Sequence, residues 1–450
     1  MVQNLNQLVH SVTYTLEQKD EHAFHENISD LQKYDLTQIF LELSTAEQKI
    51  FLEFISIHQL ADVLSELDAA NQRKVIGMID SHAGSLVITQ MNNDDLIGML
   101  SNLGEKKATE LLSDADEEFS ADIETLMEFP PETAGRIMNN QMVWINKSYT
   151  VREAVDKLKH FAELAEYLNY LHVIDDDKKL VGVVSYRDLL LADLEQHIEE
   201  IMKIRIVTVD ALMDQEEVAR IIQRYDLVTI PVVDEENKLL GIVTIDDILD
   251  VVYQEAEEDI EKFSASGKAI DFTTKPFTAA KRRLTWLILL LFIGIVSGSI
   301  IASFEETLEQ VVALAFFMPM VAGMTGNTGT QSLAVVIRGL TKENVNTKQV
   351  FKLLLRELKV GVYIGLTCGL LIFIIAYLWQ GSAVLGFVIG ISLLCTLIIG
   401  TLAGTIIPLI LNHLNVDPAV ASGPLITTIN DILSLLIYFG IATAFLSYLM

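Results

Sequence analysis

Cysteine is nearly missing from this sequence. The 450 residues hold two, Cys368 and Cys395, both inside apolar stretches. They can build neither a disulfide framework nor a zinc-ligand cluster. No phosphate-binding glycine loop of the P-loop type occurs, and no nucleophile stands in a recognisable pairing with a base, so an enzyme is not expected. The opening stretch, MVQNLNQLVHSVTYTLEQKD, has neither a basic n-region nor an apolar core, so a signal peptide is not expected either. Basic residues are in short supply: 32 Lys and Arg face 61 Asp and Glu, a net charge of −29. Apolar residues, by contrast, make up 51% of the chain. With a mean hydropathy of +0.37, that points to a membrane protein carrying a soluble part.

The charge is divided unevenly. Residues 1–262 hold 53 of the acidic and 21 of the basic residues, a net of −32, and residues 263–450 carry the remaining +3. An acidic surface of this kind repels nucleic acid and anionic headgroups and attracts cations. Solubility alone would also account for it.

From Leu31 to Leu126 apolar residues recur at helical spacing in short phrases of about twelve residues, Leu-x-x-Leu followed by a polar turn. Asp68, Asn92 to Asp95 and Gly104-Glu105 read as helix starts. Residues 1–135 are therefore expected to form an all-α superhelical stack of short helices, an interaction or sensing module. His22, His25, His58 and His82 lack ligand spacing and read as surface or cap residues.

An internal repeat follows. Leu171 to Leu190, with Gly182-Val-Val-Ser185-Tyr-Arg-Asp188, aligns with Ile230 to Leu249, with Gly241-Ile-Val-Thr244-Ile-Asp-Asp247, at an offset of 59 residues. Ahead of each copy lies a second shared phrase, Ile137-Met138…Glu153 matching Ile201-Met202…Glu217, at an offset of 64. Each copy reads as strand, amphipathic helix, strand, acidic turn, strand, helix. The pair, residues 136–199 and 200–253, resembles a tandem CBS-domain module of the α/β class. That resemblance implies a groove for ATP or another adenine nucleotide, with Ser185 or Thr244 near phosphate, Asp188 or Asp247 near ribose, and Tyr170 and Arg187 beside them. Asp175 to Asp177 and Asp234 to Glu236 would oppose a polyanion, so nucleotide binding stays open at this point.

Residues 246–283 form a connector. Asp246, Asp247, Asp250, Glu255, Glu257, Glu258, Asp259 and Glu261 crowd one face of an expected long helix. Like charges at three- and four-residue spacing cost about 0.2–0.5 kcal/mol per pair, and a hard divalent cation held by carboxylates and waters would relieve that. A solvated helix paired with lysines elsewhere is the plainer alternative.

Residues 284–450 carry five apolar spans, near Leu284–Phe304, Val311–Val336, Val360–Trp379, Ala383–Leu411 and Ala421–Tyr448. Lys268, Lys275 and Lys281 to Arg283 precede the first span. Arg338, Lys342, Lys348, Lys352, Arg356 and Lys359 fill the connection between the second and third. The positive-inside rule then puts the N-terminal half in the cytoplasm and the C-terminus outside the plasma membrane. Spaced glycines at Gly294/Gly298, Gly361/Gly365/Gly369, Gly386/Gly390 and Gly400/Gly404 read as close helix packing. The second span contains Pro319-Met-Val-Ala-Gly323-Met-Thr-Gly326-Asn327-Thr-Gly329-Thr-Gln331-Ser332, which suits a broken or closely packed helix beside a cavity. In the fifth, Asp431 follows Val420 by eleven residues, so at a 1.5 Å rise it should sit about 16 Å deep, near the midplane. An aspartate there costs about 2.5–3.5 kcal/mol. Pro424, Thr427 or Thr428, Asp431 and Ser434 share one helical face. A polar stripe of this kind should line a water-filled path or a bundle interior, as an ion ligand or as a buried structural carboxyl.

The polar run of the second span, Asp417-Pro418, and Pro424…Thr427-Thr428…Asp431, in a chain ordered as helical domain, CBS pair, acidic connector and five spans, resemble the bacterial MgtE magnesium channels over essentially the whole sequence. The resemblance implies a homodimer in the lipid bilayer with its pore on the twofold axis. A hydrated Mg2+ would be held by Asp431 from each subunit, with Asn327, Thr427 and Thr428 around it and Asp417 at the inner mouth. It also implies closure by cytosolic Mg2+ bridging Asp214, Glu216, Asp226, Asp247, Asp250, Glu255, Glu258 and Asp259 to acidic residues of the N-terminal domain, here Asp94 and Asp95. Gly98, if it stands at a liganding position, would weaken one such site. Passive Mg2+ influx closed by cytosolic Mg2+ is the expected function. The rivals are a membrane-anchored nucleotide-sensing CBS module that transports nothing and a proton-coupled divalent cation carrier using Asp431 as relay.

Overall fold

The computed structural model describes residues 5–161, 170–265, 270, 274–340, 347–414 and 416–449. Lys268 and Lys342 of the basic flanks lie outside these residues. The chain divides into two compact units, Met1–Tyr253 and Gln254–Met450.

The first unit opens with ten short helices among the described residues: α1 (Leu5–Gln18), α2 (Glu21–Ile28), α3 (Lys33–Glu42), α4 (Thr45–Phe54), α5 (Ile57–Glu66), α6 (Ala69–Ile76), α7 (Ser81–Ile88), α8 (Asn93–Leu103), α9 (Glu105–Ser113) and α10 (Glu117–Met127). Polar residues stop and restart the chain at each turn. Ser44 and Glu47 close a reciprocal capping box, and Asp68, Asp80 and Asp116 each accept a first-turn amide. The expected starts at Asp68, Asn92 and Gly104 are all present. From α3 onward each odd helix packs on the next odd one, α3 on α5, α5 on α7 and α7 on α9, the pattern of a stacked array. Leucine and isoleucine from the inner faces, such as Leu36, Ile39, Leu64, Ile76, Leu96 and Leu111, form its continuous core.

Two three-stranded sheets follow. The first copy runs α11 (Ala134–Ile137), β1 (Trp144–Asn146), α12 (Val151–Phe161), β2 (Tyr170–Ile174), β3 (Leu180–Ser185) and α13 (Tyr186–Leu191). The second runs α14 (Ile198–Ile201), β4 (Val209–Asp210), α15 (Gln215–Tyr225), β5 (Thr229–Val233), β6 (Leu239–Thr244) and α16 (Ile245–Phe263). In each sheet the first strand pairs parallel and the last antiparallel to the middle one, with a register shift at the equivalent position. The acidic turns place Lys178 and Asn237 in the left-handed region, at φ 63° and 64°. The leading phrases, however, are exchanged. Met138 packs on Gly241 of the second copy, and Met202 on Gly182 of the first; a Cβ on Gly182 would stand 2.5 Å from the Met202 sulfur. The backbone bridges Asn139 to Ile242 and Val183 to Lys203 repeat the exchange. Sequence offsets cannot reveal it, because both copies carry the same phrase.

The second unit holds the last residues of α16, then α17 (Pro276–Ser303), α18 (Glu305–Gln310), α19 (Ala313–Leu340), α20 (Thr347–Gln380), α21 (Ala383–His413), a 3-10 turn (Pro418–Val420), α22 (Gly423–Ala444) and α23 (Leu446–Leu449). Among the described residues, α17, α20, α21 and α22 are long and apolar enough to cross a membrane. At 28 residues α19 has the length, but its polar run from Gly323 to Ser332 dilutes its hydropathy. It is one continuous helix with Pro319 inside it, so close packing rather than a break answers the glycine-rich sequence. Helix α21 is central, packing on α19, α20 and α22. Gly361, Gly365 and Gly369 bring α20 against Ile398, Leu394 and the Gly390 carbonyl of α21, at 2.8–3.1 Å from where a Cβ would stand. Gly294 and Gly298 of α17 face open space instead.

Candidate ion path and acidic clusters

Helix α22 begins at Gly423, with Pro424 in its first turn where a missing amide costs nothing. Asp431 is the ninth residue, about 12 Å from the start of a helix about 33 Å long. It therefore lies nearer the N-terminal third than the middle, because the 3-10 turn takes up the residues counted as helix from sequence. Its side chain is half-buried and has no hydrogen-bond or ion-pair partner among the described residues. The Thr427 and Thr428 hydroxyls donate to the carbonyls of Gly423 and Pro424 at 2.9 and 2.8 Å, and Ser434 donates to the Asp431 carbonyl at 2.9 Å. With their protons spent on the backbone, these hydroxyls keep only acceptor lone pairs to offer, which suits a cation and its water shell.

Three helices meet at one point beside Asp431. A Cβ on Gly326 would stand 2.8 Å from the Thr427 methyl, and one on Gly329 would fall inside the Asn430 side-chain amide. From the other side, a Cβ on Gly404 of α21 would overlap the Gly329 carbonyl. Only glycine lets α19, α21 and α22 cross this closely. Asn327 is on the exposed face of α19, away from that crossing. One turn further on, Ser332 is buried and donates to Glu357 of α20 at 3.1 Å, and Glu357 in turn accepts from Arg356 at 2.7 Å.

At the N-terminal end of α22, Asp417 caps the 3-10 turn by accepting the Ala419 amide at 2.8 Å. Its other oxygen holds the Lys262 ammonium at 2.6 Å, and the same ammonium reaches Glu258 at 2.5 Å. Partial burial opposes the charge on Lys262, but the hydrogen bonds it donates to Asp417 and Glu258 outweigh it and hold the group well above its ordinary pKa. Glu255 and Asp259 of the same helix are half-buried.

A second acidic cluster lies within the first unit. Asp94 and Asp95 occupy the first turn of α8, and Asp246 and Asp247 that of α16. Carboxylates are favoured at helix N-termini, yet Asp94, Asp95 and Asp247 titrate high, as does Asp250 further along α16. Burial, then the charges of Asp247 and Asp95, push the Asp94 carboxyl well up. Burial raises Asp95 to about 6, with Lys33 opposing and Asp247, Glu66 and Asp250 adding. Burial also raises Asp247 and Asp250. One carboxyl oxygen of Asp94 is buried without a hydrogen-bond partner among the described residues. Helix α8 is held in place by Asn93, which donates to Asn140, and by Arg136, which donates to Ser101 and to the Met127 carbonyl at 2.7 Å. Among the described residues no three acidic, histidine or cysteine side chains converge tightly enough to ligate one ion directly. Gly98, one turn along α8, faces open space. Asp214 caps α15 by accepting the Glu216 amide at 2.9 Å, Glu216 pairs with Arg220 at 2.8 Å, and Asp226 ends α15 in the left-handed region. These three stand outside the Asp94 cluster as the structure describes it.

The two nucleotide-type positions differ. Ser185 caps α13 by accepting the Asp188 amide at 3.0 Å, leaving the Asp188 carboxylate half-exposed near exposed Tyr170 and Arg187. In the second copy Thr244 is buried, and its hydroxyl donates to Asp247, which is already committed to the acidic cluster.

The whole chain has close counterparts. Residues 318–441 match the family model of a divalent cation transporter, residues 31–132 that of an MgtE intracellular N domain, and residues 134–195 and 198–254 that of a CBS domain. The magnesium transporter MgtE of Bacillus subtilis (strain 168) is 53% identical over 448 residues, covering 99% of both chains. This chain belongs to the MgtE family of magnesium transporters. A crystal structure of the soluble part of a magnesium transporter is 31% identical, with a TM-score of 0.54, and covers 56% of this chain and 100% of its own. That of the cytosolic domain of the Mg2+ channel MgtE in complex with ATP is 32% identical, with a TM-score of 0.52, covering 54% of this chain and 99% of its own. Membership in MgtE makes the chain a bacterial membrane transporter rather than an enzyme, and sets aside a CBS module that transports nothing. Sequence reasoning about this MgtE chain missed Lys262, Asn430 and the Ser332–Glu357 pair. Each lies in an unremarkable sequence context and is singled out only by what it touches.

Proposed function

We propose that the chain is a Mg2+-selective channel for passive influx, with Asp431 as the ion ligand of its pore. The observation that supports this most is a carboxylate without a partner in an apolar helix that glycine contacts fix against α19 and α21. In a homodimer in the bilayer, with its N-terminus cytoplasmic and its C-terminus outside, two Asp431 carboxylates would face one another across the axis. Thr427 and Thr428 would meet the water shell, and Asn327 would lie further along the path. Mg2+ gives up its waters reluctantly, so such a ring selects by hydrated size. Inward movement of a double charge gains about 4.6 kcal/mol per 100 mV of membrane potential, so no other energy source is required.

Cytosolic Mg2+ is the closing signal in this reading. It would join Asp94 and Asp95 to Asp247 and Asp250 through water, where a buried orphan oxygen and crowded carboxyls favour a hard cation. Among the described residues no three of these carboxyls converge tightly enough to ligate one ion directly, so the fit is to a hydrated ion. Glu255, Glu258 and Asp259 with Asp417 form the second sensing group, and Asp214, Glu216 and Asp226 a peripheral one. An ion that binds the closed arrangement better shifts the population toward it. An adenine nucleotide such as ATP would use the first copy, Ser185 and Asp188 with Tyr170 and Arg187, because Thr244 and Asp247 are already engaged with each other.

Mg2+ uptake into liposomes by purified wild-type protein and Asp431→Ala is the test. Uptake should be lost with the fold retained, and should not depend on a pH gradient. Unchanged uptake by the variant would remove the pore assignment, and dependence on the gradient would restore the proton-coupled carrier.

A further inference from the structure

A carboxylate is aimed by whatever fixes the rotation of its helix. Successive residues are about 100° apart around an α-helix, so a turn of α22 by one position would carry Asp431 into a packed face or out toward lipid. The neighbouring residue is the one held most firmly. Asn430 is fully buried. Its side-chain amide donates to the Thr325 carbonyl of α19 at 3.4 Å, and its own carbonyl oxygen is buried with no hydrogen-bond partner among the described residues. It lies over Gly329, in a slot that any side chain at that position would close, and Gly404 braces Gly329 from behind. One turn earlier Thr427 rests on Gly326 in the same way.

As packing alone, an amide is a poor choice here. It leaves an unpaired oxygen in an apolar crossing, where a branched apolar side chain would carry no such penalty. What the amide adds is direction. Leucine fits several rotations of α22, whereas an N–H aimed at one carbonyl on α19 admits a single rotation and a single register. Ser434 meanwhile bonds the backbone of Asp431, leaving the carboxylate unengaged.

We infer that Asn430 is a positioning residue for ion selection: its hydrogen bond to the Thr325 carbonyl, in the slot over Gly329, sets the rotation of α22 that presents Asp431 to the ion path. The inference rests on the reading of Asp431 as the pore ligand.

The test uses the full-length protein in liposomes, with Mg2+ as the transported ion and Ca2+ as competitor. Asn430→Leu keeps the branching at Cγ, adds methyl bulk and removes direction. Its thermal unfolding should stay near wild type, while the half-saturating Mg2+ concentration rises about tenfold or more and discrimination against Ca2+ falls, the scale for losing an outer partner of a metal ligand. If Asn430→Leu does not fold, Asn430→Ser, whose hydroxyl is too short to reach Thr325, carries the same expectation. Altered stability with unchanged half-saturation and unchanged discrimination makes Asn430 a packing residue only and overturns the inference. Asp431→Ala is measured alongside. If it transports normally, the pore reading fails and takes this inference with it. If it is inactive while the Asn430 variants select normally, only this inference fails.

Discussion

Lys262 gives a quantitative handle on the proposed sensor, because it already occupies a place that a divalent cation would need. Its ammonium touches Glu258 at 2.5 Å and Asp417 at 2.6 Å, and the three side chains are 31%, 42% and 35% exposed. Ion pairs this wet contribute about 0.2–1 kcal/mol each, so the two together come to about 1 kcal/mol. If cytosolic Mg2+ closes the pore as proposed, its binding between Glu258 and Asp417 must break them. In Lys262→Met that cost vanishes, and two carboxylates are left facing each other without a counter-charge. The cytosolic Mg2+ concentration that half-closes the pore should then fall about fivefold, the equivalent of 1 kcal/mol. Lys262→Arg keeps the charge and should leave the midpoint within about twofold of wild type, since each surface pair is worth so little. Single-channel recording on excised patches, with cytosolic Mg2+ titrated on each variant, measures the shift directly. A midpoint that stays put in Lys262→Met, or moves to higher Mg2+, would refute the reasoning: the ammonium would then hold the closed arrangement rather than compete with the ion.

Two further predictions concern stability. Burial raises the Asp95 carboxyl to about 6 in the folded chain, against about 3.9 unfolded. The folded state therefore binds more protons between those values, and its stability drops as pH rises through that window, by up to about 3 kcal/mol before screening. Asp95→Asn should raise the melting temperature at pH 7.5 in chelator and leave it unchanged near pH 4; an equal effect at both would disprove the linkage. Gly404→Ala forces a methyl into the Gly329 carbonyl, an overpacking worth about 1–3 kcal/mol. Gly298→Ala, which meets nothing within 4 Å, should be neutral. Thermal unfolding in detergent separates them, and equal melting temperatures would contradict the described crossing.

Much of the architecture is legible in the residues. The helix starts at Asp68, Asn92 and Gly104 follow from local capping chemistry, which acts over three or four residues. The duplicated strand phrases give matching sheets because alternation and turn residues are also local. Asp431 is conspicuous because any carboxylate amid apolar residues is expensive. Asp94 and Asp95 stand out in sequence as paired carboxylates at a helix start, but their proximity to Asp247 is a tertiary contact. The depth of Asp431 was less legible, since a 3-10 turn and a helix have the same composition here.

The sequence by itself determined the elements, their order and the carboxylates, because propensity, periodicity and charge are properties of short stretches. Tertiary structure alone decided three things: the exchange of the Met138 and Met202 phrases between the two sheets, the capture of Lys262 by Asp417, and the seating of Asn430 over Gly329. All three are contacts between residues tens to more than a hundred positions apart. Their energies depend on distances of a few ångströms that no local pattern encodes, so a lysine, an asparagine and a methionine of ordinary context acquire their roles only when the chain closes on itself.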